Sequence, residues 1–100
     1  MKTHLSRAER MENLLRQHFS PLDFALEDES GRHAGHAGAQ PGGETHYRLR
    51  LVAAAFEGLS RVARQRLVYT LLAREFETGL HALSLDLKTP AEAGERGSAA

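Results

Sequence analysis

The chain has 100 residues, 41% of them apolar, which is enough for one domain with one modest core and too few for two. Thirteen basic and thirteen acidic side chains give a formal net charge of zero, so no global positive field draws the protein toward nucleic acid or anionic lipid. The absence of cysteine excludes disulfides, cysteine-based zinc sites and thiol chemistry, and makes a cytoplasmic location the expectation.

The first predicted element is a helix from about Ser6 to Phe19. Ser6 and Glu9 have the spacing of a capping box, in which each side chain satisfies a free amide at the helix start. Apolar residues recur at helical spacing along this segment and form one stripe for a core. We expect Arg7 and Arg10 to lie in water on the other side of the helix.

Two strands follow, joined by a long connection. Leu22, Phe24 and Leu26 alternate with polar or small residues, the period-two pattern of a strand with one buried face. The connection, from about Ser30 to Gly43, has almost no apolar side chains to bury, so we expect a flexible surface loop. The second strand alternates as the first does, with Tyr47, Leu49 and Leu51 on one side and His46, Arg48 and Arg50 on the other.

A helical segment comes next, and the face on which its apolar residues recur changes partway along it. The later part has one apolar stripe, made of Leu67, Val68, Leu71, Leu72 and Phe76. If the same helix is extended toward the N-terminus, its helical wheel puts Arg61, Arg64 and Gln65 on the buried side. We therefore predict a separate short turn or helix near Ser60, then the main helix, with Gly79 placed to end it.

A third strand and a polar tail complete the chain. Leu83, Leu85 and Leu87 alternate and are predicted to face inward, and Pro90 ends the strand. Residues 91–100 are small and polar, so we expect them to be disordered and the folded domain to span residues 1–90. No segment approaches the roughly 20 apolar residues that span a bilayer, and no export signal is visible, so we expect a soluble protein.

The order of these elements predicts an α+β two-layer domain, with helices on one face of a three-stranded sheet. A crossover through a helix normally leaves the two strands that it joins parallel in one sheet. The second and third strands then start at the same edge of the sheet. The histidine-rich connection and His81 are therefore predicted to be neighbours in space.

The connection is rich in histidine, which raises the question of what these side chains bind. Three of the six histidines of the chain lie between Arg32 and Tyr47, and two of them, His33 and His36, are free to act as ligands. We assign His46, which lies within a strongly patterned strand, to a structural role. Asp28, Ser30 and His33 resemble a nucleophile set, but a glycine- and alanine-rich loop cannot hold three such groups in register. We therefore expect that the protein is not an enzyme.

Four segments resemble the BolA family. They are DES at Asp28–Ser30, ETHYRLRLV at Glu44–Val52, FEGLSRVARQRLVYTLLA at Phe56–Ala73 and HALSLDLKTP at His81–Pro90. They occur in the order and spacing of the family, and the resemblance runs from the first helix to Pro90. The resemblance implies a fold similar to the class II KH domain. One departure is Arg64-Gln65-Arg66, where the family usually has Arg-His-Arg.

The resemblance also implies a function. Members of the family are regarded as partners of monothiol glutaredoxins, with which they form heterodimers bridged by a [2Fe–2S] cluster in iron sensing or cluster delivery. The ligands that it implies from this chain are His81 and a histidine of the connection, His33 or His36. Neutral imidazole can replace thiolate on one iron of such a cluster. Since the chain has no cysteine, the remaining thiolates are expected from a glutaredoxin cysteine and its bound glutathione, and the isolated chain is expected to be monomeric without a cofactor.

A DNA-binding transcriptional regulator is the alternative function that the resemblance implies. The short turn and helix resemble a helix-turn-helix, in which Arg61, Arg64 and Arg66 could contact phosphates. The Gly-x-x-Gly loop by which KH domains clamp a nucleic-acid backbone is absent, because this region contains only Gly58. We therefore expect only weak DNA binding, and the same arginines could instead contact a protein partner.

Overall fold

The computed structural model describes residues 5–30 and 44–98, and the side chains as far as residue 94. The elements in chain order are α1 (Arg7–Phe19), β1 (Asp23–Asp28), β2 (His46–Val52), a 3-10 turn (Ala54–Phe56), α2 (Arg61–Leu71), α3 (Ala73–Glu77), β3 (Ala82–Lys88) and α4 (Pro90–Ser98). The α+β class is therefore confirmed. Within these ranges no helix has both the length and the apolar character that crossing a membrane requires.

The helix α1 begins with the predicted capping box. The Glu9 amide donates to Ser6 Oγ at 3.1 Å, and the Ser6 amide donates to Glu9 Oε1 at 2.8 Å. These two bonds satisfy amides that have no partner within the helix. Met11, Leu15 and Phe19 are buried along one face of α1, so the predicted apolar stripe is confirmed.

The sheet has the strand order β1-β2-β3, which makes β2 the central strand. β1 and β2 are antiparallel, with Phe24 opposite Leu51. β2 and β3 are parallel, with His46 opposite Ala82, as the helical crossover predicts. Leu22 was expected on the buried face of the first strand, but it precedes β1 and is 72% exposed.

One face of the sheet carries the core, because alternate residues of β2 are buried whereas Arg48 and Arg50 are exposed. The core cluster contains Met11, Leu15, Phe19, Tyr47, Leu49, Leu51, Ala53, Phe56, Val68, Leu72, Leu80 and Leu83. Through this cluster, α1, α2 and the neighbouring turns pack against one side of the sheet. The packing buries apolar surface that an isolated sheet would expose to water. A groove on the sheet is lined by Ala25, Glu27, Arg48, Arg50, Ser84, Leu85 and Asp86.

A separate short turn precedes the main helix, as predicted, but it lies at Ala54–Phe56, and α2 begins directly after Ser60, at Arg61. Ser60 is the N-cap of α2, and its Oγ accepts a hydrogen bond from the Ala63 amide at 3.1 Å. The helical segment is interrupted later, at Leu72, between α2 and α3. Gly79 has a φ of +134° and lies in the turn after α3, so its predicted place at the end of the helical segment is confirmed.

Arg7 is 8% exposed, which corrects the expectation that it lies in water. Its guanidinium donates to the Glu75 carboxylate at 2.6 Å, to the Thr78 carbonyl at 3.1 Å and to the Glu44 carbonyl at 2.8 Å. Arg10 also contacts Glu75, at 2.8 Å. Arg7 lies four residues before Met11 on the buried face of α1, so the expectation that it lies in water followed its charge and not its position on the helix. Periodicity along α1 carries no information about a carboxylate from α3.

Residues 90–98 form α4, whereas composition favoured disorder from residue 91. Thr89 and Glu92 cap this helix: the Glu92 amide donates to Thr89 Oγ1 at 3.1 Å, and the Thr89 amide donates to Glu92 Oε1 at 2.9 Å. Glu92 also binds Arg64 of α2 at 2.7 Å. The Thr-x-x-Glu spacing is the capping signal that an argument from composition overlooks.

Candidate functional site

β2 and β3 start at the same edge of the sheet, and a histidine lies at each start. His46 is the first residue of β2, and His81 directly precedes β3. The Thr45 carbonyl accepts hydrogen bonds from the amides of His81, at 2.8 Å, and Ala82, at 3.1 Å. The imidazoles of His46 and His81 are stacked, with centroids 6.0 Å apart and planes inclined by 25°. The parallel pairing thus brings His81 beside the residues that end the connection.

A hydrogen-bond network ties together the two segments that flank the connection. Ser30 Oγ accepts bonds from the amides of Thr45, at 2.9 Å, and His46, at 3.0 Å. The Ser30 amide in turn donates to Asp28 Oδ1 at 2.8 Å. Ser30 and Thr45 are almost fully buried, so water cannot replace these bonds. The end of β1 and the start of β2 are therefore fixed relative to each other.

The network ends in a carboxylate on one side and in an imidazole on the other. Burial acts to raise the pKa of Asp28, but hydrogen bonds from Ser30 and from the Glu44 amide outweigh it and hold that pKa below its usual value. The nearby imidazole of His46 adds a smaller effect in the same direction. Thr45 Oγ1 lies 2.8 Å from His46 Nδ1. The His46 ring is therefore held by a chain of polar groups that leads back to Asp28.

Of the predicted ligands, the structure describes His81, whose side chain is exposed at the sheet edge. His33 and His36 lie outside the described residues. Across residues 5–30 and 44–98, no group of three or more histidine or acidic side chains could hold a metal ion. The described part of this edge thus contributes one pair of imidazoles, from His46 and His81.

Sequence reasoning missed the pairing of His46 with His81, because it assigned His46 to structure from the strand pattern alone. The signal was nonetheless present. His46 opens the second strand and His81 opens the third, and two parallel strands start at one edge. The argument that placed His81 beside the connection therefore applied equally to His46.

The arginines proposed for DNA contacts do not share one environment. Arg61 and Arg66 are exposed. Arg64 instead donates to the two Glu92 carboxylate oxygens, at 2.7 and 3.0 Å, and to the Leu87 carbonyl at 3.1 Å. Donating these hydrogen bonds to Glu92 raises the pKa of Arg64, and accepting them lowers the pKa of Glu92 to about 2. Arg64 therefore already has an anionic partner within the chain.

Known proteins are similar to this chain in sequence. A family model described as BolA-like protein matches residues 15–92. The chloroplastic protein BOLA1 of Arabidopsis thaliana is 47% identical over 89 residues, which cover 87% of this chain and 56% of that protein. The chloroplastic/mitochondrial SufE-like protein 1 of the same plant is 48% identical over 91 residues, covering 87% of this chain and 24% of that protein. The chain thus spans about half the length of the first relative and about a quarter of the second.

Solved structures that are similar to this chain come from the same relatives. The structure of the BolA domain of SufE1 from Arabidopsis thaliana matches with a TM-score of 0.79 and 47% identity. The match covers 90% of this chain and 99% of that domain. The family model spans most of the chain, and a solved BolA domain has the same α+β architecture. The chain belongs to the family of BolA-like proteins.

Proposed function

We propose that the chain acts in iron homeostasis as an adaptor that binds a monothiol glutaredoxin and shares a bridging [2Fe–2S] cluster with it. The ligands from this chain are His81 and a histidine of the connection, His33 or His36. The observation that carries the proposal is the position of His81, exposed at the sheet edge where the connection rejoins β2. Membership of the BolA-like family, with the function that the resemblance implies, supports it.

The donor chemistry of the chain fits half of such a cluster. The chain has no cysteine, so it offers imidazole and no thiolate. Imidazole is a borderline ligand that occupies one iron of mixed-ligand [2Fe–2S] clusters. The thiolates then come from the partner, as a glutaredoxin cysteine and its glutathione. When bound, the cluster supplies one-electron redox chemistry and an iron–sulfur unit for transfer.

The backbone around His81 is suited to presenting a ligand. Both the His81 and the Ala82 amides donate to the Thr45 carbonyl, so the strand start is fixed while the His81 side chain is exposed. A ligand on a fixed strand needs little reorganisation when it binds. The Ser30 and Asp28 network meanwhile fixes the end of β1, from which the connection departs.

A protein partner has access to His81, because its side chain is exposed, and β3, which follows it, is an outer strand of the sheet. Tyr69 of α2 lies against the same strand, and its hydroxyl donates to the Leu83 carbonyl at 3.3 Å. Tyr69 is nevertheless 41% exposed, and tyrosine is among the residue types enriched at protein interfaces. The proposed glutaredoxin would therefore meet an aromatic side chain that is hydrogen-bonded to the strand that follows His81.

The proposal is tested by mixing the chain with a glutathione-loaded monothiol glutaredoxin that carries a [2Fe–2S] cluster as a homodimer. We expect a heterodimer, seen as a new elution volume together with a changed visible absorption spectrum. A His18→Ala variant, which alters an exposed histidine of α1, is expected to behave as the wild type. Unchanged elution and spectra at high protein concentration would contradict the proposal.

A further inference from the structure

We propose that Arg7 is a positioning residue for His81, because its guanidinium joins the two segments that lead into β2 and β3. Arg7 is 8% exposed. Its Nε donates to the Glu44 carbonyl at 2.8 Å, and its Nη2 donates to the Thr78 carbonyl at 3.1 Å. Glu44 shortly precedes β2, and Thr78 shortly precedes β3. One planar group thus fixes the two segments relative to each other.

Glu44 is held to α1 through both its side chain and its main chain. Its carboxylate accepts a hydrogen bond from the Arg7 amide at 2.8 Å, in addition to the bond from Arg7 Nε to its carbonyl. Its φ is +67°, in the left-handed region that residues other than glycine seldom adopt. Such a conformation persists where the surrounding structure over-determines it. The two bonds from Arg7 therefore help to set the direction in which the chain enters β2.

On the other side, Arg7 holds the turn between α3 and β3. Its Nη1 donates to the Glu75 carbonyl at 3.0 Å and to Thr78 Oγ1 at 3.1 Å. The Leu80 amide donates to the same Glu75 carbonyl at 2.9 Å, so the turn closes onto an oxygen that Arg7 also binds. A Cβ on Gly79 would lie only 2.9 Å from Arg7 Nη2. The turn that leads into β3 is therefore packed directly against the guanidinium.

The two joined segments meet at the Thr45 carbonyl. This carbonyl directly follows Glu44, and it accepts hydrogen bonds from the amides of His81 and Ala82. A shift of Glu44 relative to Thr78 would therefore disturb the bonds that hold His81. The inference rests on the proposed function, in which His81 is a cluster ligand, and it adds a residue that does not touch the cluster. Loss of a residue that orients a ligand typically weakens metal binding by about ten- to a hundredfold.

Arg7→Lys separates the charge of Arg7 from its shape. Lysine keeps a cation beside the Glu75 carboxylate, but an ammonium group cannot reach the Glu44 and Thr78 carbonyls together as the guanidinium does. In the free chain we expect amide hydrogen exchange at His81 to become about tenfold faster in this variant.

Two comparisons make the exchange measurement specific. Leu49 is fully buried in the central strand, so its amide reports opening of the whole domain, and its exchange should accelerate less than that of His81. Arg16→Lys is the matched control, because Arg16 is half exposed and pairs with Glu12 on the same helix. This control should leave both exchange rates as they are in the wild type.

The cluster experiment compares Arg7→Lys with Glu75→Gln at a temperature at which circular dichroism shows both variants to be folded. Glu75→Gln removes the buried carboxylate but leaves the bonds from Arg7 to Glu44 and Thr78 in place. Its heterodimer with the glutaredoxin should therefore release the cluster to a chelator at the wild-type rate. Arg7→Lys should release the cluster about tenfold faster.

Two results would overturn the inference. One is exchange at His81 that accelerates no more than exchange at Leu49 in Arg7→Lys. The other is cluster release that is as fast in Glu75→Gln as in Arg7→Lys, because release would then follow stability and not the position of His81. A wild-type chain that forms no heterodimer would instead contradict the proposed function, and exchange in the free chain would still decide whether Arg7 positions His81.

Discussion

Arg7 and Glu75 form a buried ion pair, in which Arg7 Nη1 lies 2.6 Å from Glu75 Oε1 and both side chains are less than 10% exposed. The pair joins the first turn of α1 to α3. Arg10 binds the other carboxylate oxygen of Glu75 at 2.8 Å. The hydrogen bond from Arg10 and the charges of both arginines hold the pKa of Glu75 below its usual value, although burial opposes them.

Glu75→Gln should lower the free energy of unfolding at neutral pH by about 2–3 kcal/mol, because it leaves the buried Arg7 without its carboxylate. The contribution of Glu75 is present above the unfolded-chain pKa of about 4.3 and is lost as the pH falls through the lower folded-state pKa. Urea unfolding of wild type and variant between neutral and acid pH measures how the free energy of unfolding of each depends on pH. The two stabilities should converge as the pH falls.

Glu12→Gln is the matched control, because Glu12 pairs with Arg16 on the exposed side of the same helix. Exposed pairs of this kind contribute less than about 1 kcal/mol, so this variant should unfold almost as the wild type does at every pH. Equal effects of the two substitutions, or a Glu75→Gln effect that does not change with pH, would contradict the role assigned to the buried pair.

Gly79→Ala should destabilise the domain more than Gly58→Ala, although both glycines have a positive φ. A Cβ at Gly79 would lie 2.9 Å from Arg7 Nη2, which donates to the Thr78 carbonyl, whereas nothing lies within 4 Å of a Cβ at Gly58. Gly58→Ala should therefore cost about 1 kcal/mol of backbone strain, and Gly79→Ala about 1–2 kcal/mol more. Equal losses in thermal unfolding would show that the approach to Arg7 carries no strain.

Ser30→Ala should loosen the start of β2. Ser30 Oγ accepts bonds from the amides of Thr45 and His46, and its removal leaves these amides without that acceptor, at a cost of about 1–3 kcal/mol. Hydrogen exchange of the two amides should become faster. In Ser60→Ala, which removes the N-cap of α2, faster exchange is expected at Ala63 and not at β2. Unchanged exchange at Thr45 and His46 in Ser30→Ala would contradict the network.

Duplex DNA should bind the isolated chain only weakly and lose affinity steeply with added salt. Two exposed arginines, Arg61 and Arg66, would give a slope of about −2 in a plot of log affinity against log salt. Arg61→Ala/Arg66→Ala should remove this binding, whereas Arg64→Ala should mainly release α4, because Arg64 binds Glu92. Tight, sequence-specific binding that depends on Arg64 would favour the regulator function instead.

Local pattern was sufficient to predict much of the fold. Alternation predicted the buried face of β2, the Ser6 and Glu9 spacing predicted the start of α1, and the crossover rule predicted the parallel pairing of β2 with β3. These features depend on residues close in sequence or on general chain geometry, both of which a single sequence contains.

The features that sequence reasoning missed depend on partners distant along the chain. Arg7 is buried because Glu75 comes from α3, and Arg64 is inward-facing because Glu92 comes from α4. Helical periodicity cannot supply such partners, so the charge of Arg7 led to the prediction that it lies in solvent, and the arginines at the start of α2 led to the prediction of a separate turn or helix near Ser60. The stacking of His46 on His81 was missed for a different reason, because the shared strand edge was applied to only one of the two histidines.

The most direct test of the proposed function is the visible circular dichroism of the cluster in a mixture of this chain with a monothiol glutaredoxin. His81→Ala should abolish the heterodimer spectrum without unfolding the domain, because its exposed side chain contributes little to the core. His33→Ala and His36→Ala should each have a partial effect, larger for His33, and the double variant should approach His81→Ala. A His81→Ala variant with the wild-type spectrum and cluster lability would contradict the account, as would a double variant indistinguishable from the wild type.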